Sequence, residues 1–167
     1  MSTYGNKRTS SFAIDETTTI KSVTSSWNVN SLIVKSLGPK WSFGGTAAAS
    51  HSSFSNTDRS ISFAPGIEYD FFPYKDSSRR SLTMQYTVGA VHNEYAELTV
   101  YDKLTETVPR HYFNVALGLR QPWGSLNIYS SYSQQLNHLD RYRESIFGET
   151  SVRLFKGFSF NIFAEYD

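Results

Sequence analysis

The amino-acid sequence predicts an all-β fold, an antiparallel up-and-down transmembrane β-barrel of about eight to ten strands. Hydrophobicity alternates with a period of two along most of the 167 residues. Aromatic residues make up 16% of the chain although its mean hydropathy is only −0.41. Such a composition is typical of strands that present one face to lipid and the other to a polar interior. No long apolar run is present, which excludes transmembrane helices.

The alternation is clearest over residues 110–120, where the odd-numbered residues Phe113 to Leu119 are apolar and the even-numbered ones are mostly small or polar. The same period recurs at residues 41–49, 61–71, 82–90, 126–128, 145–154 and 158–166. Residues 20–35 are strand-like without a clear choice of faces, and residues 7–14 form the weakest predicted strand. We therefore expect one β-barrel domain over residues 1–167. The side chains expected to face lipid are Phe113, Leu117, Val152, Phe160 and Ile162.

The predicted connections alternate in length. Residues 37–40, 121–124 and 155–157 form tight turns rich in Gly and Pro, and residues 72–79 belong to the same series. The connections at residues 15–18, 55–59, 94–109 and 137–141 are looser and more polar. Short turns on the periplasmic side and long loops outside are the plan of outer-membrane barrels.

Aromatic residues cluster at the predicted strand ends, as an interfacial girdle requires. High β-propensity of Tyr and Phe is the alternative explanation. The residues expected at the interface beside the short turns are Trp41, Phe71, Tyr74, Trp123, Phe155 and Phe158, with Phe72 next to them. Those nearer the long loops are Tyr95, Tyr101, Tyr112 and Tyr142.

Three segments resemble the periplasmic turns of an uncharacterised family of bacterial outer-membrane β-barrel proteins. They are residues 66–74 (GIEYDFFPY) followed by Arg79-Arg80, residues 119–125 (LRQPWGS) and residues 152–159 (VRLFKGFS). The similarity runs from about residue 37 to residue 167. It implies a porin-like barrel in a Gram-negative outer membrane with lipid as its partner, and it implies no catalytic residue.

The polar faces of the predicted strands contain charges of both signs. In a narrow barrel such residues point inward, where unpaired charges are costly and opposite charges should pair. We expect an Arg–carboxylate contact between Arg120 or Arg153 and Glu68 or Asp70, and a filled lumen rather than a conducting pore. The predicted lumen-lining network is Glu68, Asp70, Gln85, Asn114, Arg120, Glu149, Arg153 and Glu165.

Other chemistry is weakly indicated. A net charge of +1 without a basic stripe argues against nucleic-acid binding. The chain has no cysteine, and none of its four histidines has metal-ligand spacing, so neither a metal nor another cofactor is expected. His92 lies close to Glu94 and His138 to Asp140, which leaves a surface site conceivable. No catalytic serine motif occurs.

Three interpretations remain open. The first is a membrane barrel with a polar, charge-paired lumen and a structural, adhesive or limited-transport role. The second is a soluble antiparallel barrel that holds a small apolar ligand. The third is an outer-membrane hydrolase with a site at the rim.

About nine strands would leave the two chain termini on opposite sides of the membrane, whereas bacterial barrels have both termini on the periplasmic side. We therefore also expect that the chain is a fragment of a larger barrel, that the first strand is miscounted, or that other chains complete the wall.

Overall fold

The computed structural model describes residues 1–13, 19–155 and 157–167. These residues form nine antiparallel strands in one sheet, and the strands follow each other in chain order from β1 to β9. The prediction of an all-β, up-and-down arrangement with about nine strands is confirmed. No helix in the described ranges is both long and apolar enough to cross a membrane.

The strands are long, between nine and eighteen residues. The first strand begins earlier than predicted, and Ile14 of the predicted strand lies outside the described residues. A 3-10 turn at Tyr74–Asp76 precedes the fifth strand. The strand bounds are β1 (Ser2–Ala13), β2 (Thr19–Ser36), β3 (Trp41–Ser52), β4 (Thr57–Asp70), β5 (Arg80–Tyr95), β6 (Thr105–Gln121), β7 (Gly124–Gln135), β8 (Tyr142–Phe155) and β9 (Phe158–Tyr166).

The sheet is not closed. Strands β1 and β9 stand at the two ends of the strand order, and no pairing joins them within the described residues. Every described residue of β9 is exposed, as expected for an edge strand with a neighbour on one side only.

The expected sorting of short turns and long loops is only partly seen. Residues 122–123 make a tight turn between β6 and β7, as predicted. However, the connections at 37–40 and 53–56 are equally long, and so are those at 71–79 and 96–104. The predicted loop at 94–109 is shorter than expected because β5 and β6 continue into it and form backbone hydrogen bonds there. The predicted loop at 15–18 lies outside the described residues.

The chain divides into two compact units, each built from several segments. The first comprises Met1–Leu32, Thr46–Phe63 and Ala90–Val108, and the second comprises Ile33–Gly45, Ala64–Gly89 and Pro109–Asp167. Within the first unit, β1 and β2 pair from Ser2 opposite Asn30 onward. The second unit contains the ladder of β6, β7, β8 and β9.

The register of β6 to β9 places apolar residues of the four strands on the same face of the sheet. Leu117 lies opposite Ile128, which lies opposite Gly148, which lies opposite Ala164. One residue along, the row is Ala116, Tyr129, Phe147 and Glu165. Because side chains alternate between the faces of a sheet, four strands present a continuous apolar row and, behind it, a mixed row containing a charge.

The sheet has almost no conventional core. Val108, which is 6% exposed, is the one buried hydrophobic side chain among the described residues, and none of their polar side chains is buried. A soluble sheet of this size normally covers one apolar face with a second layer. Here both faces of the described sheet are accessible.

The turn between β6 and β7 depends on Gly124. This glycine has a φ of +151°, and a Cβ at this position would overlap the backbone carbonyl of Ser151 on β8. Residues with a side chain rarely adopt such a backbone, and β8 leaves no room for one. Gly124 therefore fixes both the turn and the approach of β8.

We expect Gly124→Ala to lower the free energy of unfolding. The strained backbone conformation alone should cost about 1–3 kcal/mol, and the overlap with Ser151 adds to this loss. Gly148→Ala is the matched control on β8, because a Cβ there meets nothing within 4 Å. Its stability should be unchanged or raised by up to about 1 kcal/mol. Urea unfolding followed by tryptophan fluorescence measures both. Equal stabilities of the two variants would contradict this account of the turn.

Candidate functional site

One face of the ladder β6–β9 is largely apolar, with Ser130 and Thr150 among its residues, and we call it the apolar band. Its larger residues are Phe113, Val115, Leu117, Leu119, Leu126, Ile128, Ile146, Val152, Phe160 and Ile162. All five side chains predicted to face lipid belong to this band. Phe113, Phe160 and Ile162 are exposed, and Leu117 and Val152 are half-buried. No second layer of the described chain covers them.

Exposure alternates with residue type along parts of strands β3 and β4. Phe43 is 51% exposed, while its neighbours Ser42 and Gly44 are half-buried. Ile67 is 40% exposed and stands between the half-buried Gly66 and Glu68. The large apolar side chains are therefore more accessible than the small or polar ones beside them. In a water-soluble protein the order is the reverse.

Aromatic rings meet beside the connections at 37–40 and 71–79. Trp41 and Tyr69 have ring centroids 4.7 Å apart, and Phe71 packs edge-on against Tyr69 at 4.9 Å. The Lys40 ammonium lies 5.8 Å from the centre of the Tyr69 ring. We call Trp41, Tyr69 and Phe71 the turn-side aromatic cluster. Its combination of rings and a cation is typical of side chains at a membrane–water interface.

The other predicted interface residues are placed as follows. Phe155 and Phe158 stack at 5.2 Å across the turn from β8 to β9. Trp123 is exposed in its turn. The Arg80 guanidinium lies 4.5 Å from the centre of the Phe72 ring. The Tyr74 side chain lies outside the described part of the structure. Tyr69 was not predicted at the interface, although its odd-numbered place on the strand of Ile61 to Phe71 already put it on the apolar face.

A second set of rings lies toward the opposite strand ends. Tyr86 and His111 pack edge-on at 5.8 Å, His111 and Tyr132 at 5.9 Å, and Tyr132 stacks on Tyr142 at 6.3 Å. His111 also hydrogen-bonds the Tyr86 hydroxyl at 3.3 Å and Gln134 at 3.1 Å. We call these four rings the loop-side aromatic cluster. Its members share the face of the apolar band, since Phe113 lies opposite Tyr132.

This cluster was only partly predicted. Tyr142 was expected near the long loops and belongs to it. Tyr112 projects to the other face of β6, Tyr101 lies in the connection at 96–104, and Tyr95 hydrogen-bonds Glu106 at 3.4 Å. Counting aromatics near loops selects residues by position along the chain, whereas a cluster forms only where neighbouring strands bring rings to the same height and face.

The opposite face carries a hydrogen-bonded network across three strands. The Asn114 amide donates to the Gln85 carbonyl oxygen at 3.1 Å, and the Tyr129 hydroxyl donates to the Asn114 carbonyl oxygen at 3.1 Å. A single asparagine thus connects β5, β6 and β7 on the polar face. Two of these residues, Gln85 and Asn114, belong to the predicted lumen-lining network.

The expected pairing of charges on this face does not form in the described residues. Arg120 and Arg153 are exposed, and neither belongs to an ion pair there. Glu68 instead accepts a 3.4 Å hydrogen bond from Ser42. The reason is placement: Arg120 lies on β6 and Glu68 on β4, so β5 separates them by about two strand spacings of 4.8 Å each.

The remaining charges of the predicted network lie apart from one another. Glu149 stands opposite Asn127, and Glu165 stands opposite Phe147. Both carboxylates are exposed, while Asp70 is half-buried at the end of β4. The charged, filled lumen expected from the sequence is therefore not packed as a set of ion pairs in the part that the structure describes.

A serine–histidine contact bears on the hydrolase interpretation. Ser25 Oγ lies 3.2 Å from His51 Nε2, and His51 Nδ1 lies 2.8 Å from the Asp58 carbonyl oxygen. If Nδ1 carries the proton, it donates to that carbonyl and Nε2 accepts from the serine. A serine hydrolase also needs free donors for an oxyanion. The backbone N–H of Ser25 is already bound to Ser53 Oγ at 2.9 Å, so the contact lacks this part of the machinery.

The histidine next to Glu94 belongs to a polar network. Glu94 forms an ion pair with Arg59, and His92 Nε2 lies 3.6 Å from the same carboxylate oxygen. His92 Nδ1 is bound to Thr107 at 2.8 Å, so both ring nitrogens have neighbours. No group of three His, Asp or Glu side chains in the described ranges could hold a metal ion.

We expect Asn114→Ala to lower the free energy of unfolding by about 1 kcal/mol, because it removes the two exposed hydrogen bonds to Gln85 and Tyr129. Asn127→Ala is the matched control, since Asn127 is exposed on the same face and its change should stay within about 0.5 kcal/mol. Urea unfolding midpoints report the difference. Equal losses of unfolding free energy in the two variants would show that the network does not contribute to stability.

Comparisons of the chain with protein-family models, with curated proteins and with solved structures found no match. The resemblance of its turn segments to outer-membrane barrels stays a prediction. The two faces of the sheet are therefore the basis for any functional proposal.

Proposed function

We propose that the chain forms the wall of a bacterial outer-membrane β-barrel, with membrane lipid as the partner of its apolar band. Its role would be structural, adhesive or one of limited transport, and no catalysis is proposed. The nine-stranded antiparallel sheet is the kind of backbone that such a wall requires, because each strand pairs with its neighbour in chain order.

One observation supports this proposal above the others. The apolar band runs in register through four strands and remains uncovered, while the polar face behind it contains the Gln85–Asn114–Tyr129 network. Burying a side chain the size of Leu, Ile or Phe contributes about 1.5–3 kcal/mol, so an uncovered row of them needs an apolar environment. The hydrocarbon core of a bilayer provides one.

The two aromatic clusters support the same orientation. The turn-side cluster and the loop-side cluster both share the apolar face, and each contains groups that hydrogen-bond or carry charge, Lys40 in the first and His111 in the second. Rings with polar partners favour the level of the lipid headgroups. Together with the band, the clusters supply the residue types of a membrane-facing wall.

A soluble barrel that holds an apolar ligand is the second candidate. It would direct the apolar band inward and the polar face toward water. The exposure of Phe43 and Ile67 favours the membrane interpretation, because in both cases the less accessible neighbours are the small or polar ones.

We expect Ile128→Arg to destabilise the protein in phospholipid vesicles by about 2–4 kcal/mol, because Ile128 lies within the apolar band, where an arginine would meet hydrocarbon. Asn127→Arg is the matched control on the adjacent residue of β7, which faces the other way, and its cost should be smaller than about 1 kcal/mol. Equilibrium unfolding by guanidinium in vesicles measures both. The reverse order of the two costs would favour the soluble barrel.

A further inference from the structure

A cleft of about 410 Å³ lies at the end of the ladder where β7 turns into β8. Three arginines line it, Arg110 on β6, Arg141 in the connection at 136–141 and Arg143 on β8. The cross-strand pairs Arg110–Gln135 and Ser133–Arg143 put two of the guanidinium groups on the polar face with neutral hydrogen-bonding neighbours. The cleft is therefore rich in donors and positive charge.

Arg110 is half-buried, whereas Arg141 and Arg143 are exposed. Its Nε–H group is buried and has no hydrogen-bond partner among the described residues. A buried polar group without a partner costs free energy, more so when it is charged. Because this atom is closed to solvent, an anion in the cleft would have to be bound by the Nη groups of Arg110.

The acids near the cleft do not neutralise it. Arg143 donates from Nε to Asp167 at 2.8 Å and makes a second contact with the same carboxylate. This hydrogen bond lowers the pKa of Asp167. Within the described part of the chain neither Arg110 nor Arg141 has a carboxylate partner. Two guanidinium charges thus remain uncompensated in one cleft, and their mutual repulsion favours binding of an anion.

We infer that this cleft binds an oxyanion of the phosphate type, either free phosphate or a phosphomonoester on a lipid headgroup. Guanidinium groups suit phosphate because their planar forks donate two parallel hydrogen bonds to its oxygens. An Nη group of Arg110 would donate to one oxygen, Arg141 from the connection would contact a second, and Ser133 and Gln135 can supply neutral donors. The cleft is lined from both faces at the strand ends, since Arg110 and Arg143 lie on the polar face and Gln134 and Tyr142 on the other. Anion binding there does not depend on the membrane proposal.

The test is a calorimetric titration of the detergent-solubilised full chain with inorganic phosphate. A titration with chloride at equal ionic strength is the blank. Arg110→Gln should weaken phosphate binding by about tenfold or more, because it removes a charge-assisted hydrogen bond. Arg141→Gln should also weaken phosphate binding. Arg141 lies in an exposed connection, so we expect this change to leave folding unaffected. Arg153→Gln is the control, since it removes an exposed arginine of β8 that does not line the cleft.

Equal weakening by Arg153→Gln, or no phosphate binding above the chloride blank, would overturn the inference. A second arm identifies the source of the phosphate. It compares flotation of the protein with phosphatidylcholine vesicles that contain or lack a phosphomonoester lipid. Preference for the phosphorylated vesicles, lost in Arg110→Gln, assigns the cleft to a lipid headgroup. Phosphate binding without such a preference assigns it to the free ion. Failure of the membrane proposal would show as an absence of flotation with either vesicle while phosphate binding persists.

Discussion

One constraint underlies the arrangement of the described residues: no layer among them covers the apolar face of β6 to β9. Strict alternation puts Leu117, Ile128 and their neighbours on one side of β6 to β9, and antiparallel pairing keeps them in register. In the described residues nothing packs against this side. An apolar face of this extent is stable only when water is excluded from it. Lipid, a second sheet or a bound ligand could exclude water, and the exposure pattern of β3 and β4 favours lipid.

The same constraint bears on the backbone. Each interior strand pairs with a neighbour on both sides, whereas β1 and β9 pair on one side only among the described residues. In hydrocarbon an unpaired strand edge is costly because no water can bond to it. The proposed membrane setting therefore requires a hydrogen-bonding partner for both edges.

The sequence allowed the strands and their faces to be predicted, because a period of two depends only on neighbours along the chain. The five residues expected to face lipid, Phe113 among them, all lie on the apolar band. Contacts between strands could not be predicted in the same way. Asn114 meets Gln85 because of the register of β5 and β6, and His111 joins Tyr86 and Tyr132 for the same reason. Alternation along one strand does not determine how that strand is aligned with its neighbour.

The failed expectations have the same origin. Opposite charges on one face were expected to pair, yet pairing needs neighbouring strands, and Arg120 and Glu68 are separated by β5. Loop lengths were judged from polar composition, but Glu94 and Pro109 are polar or turn-forming residues that nonetheless belong to strands. The arginine cleft was missed because Arg110, Arg141 and Arg143 are separated along the chain and meet only where β7 turns into β8.

The central claim is that the apolar band faces lipid, and labelling of single cysteines tests it most directly, because the native chain contains no cysteine. Cysteines placed at Val115, Ile128 and Phe160, and then at Asn114, Asn127 and Asn161, can each carry a fluorophore in vesicles. If the band faces lipid, spin-labelled lipid quenches the fluorophore at the first three positions and a water-soluble thiol reagent modifies the other three. Lipid quenching at the asparagine positions, or none at either set, would contradict the claim.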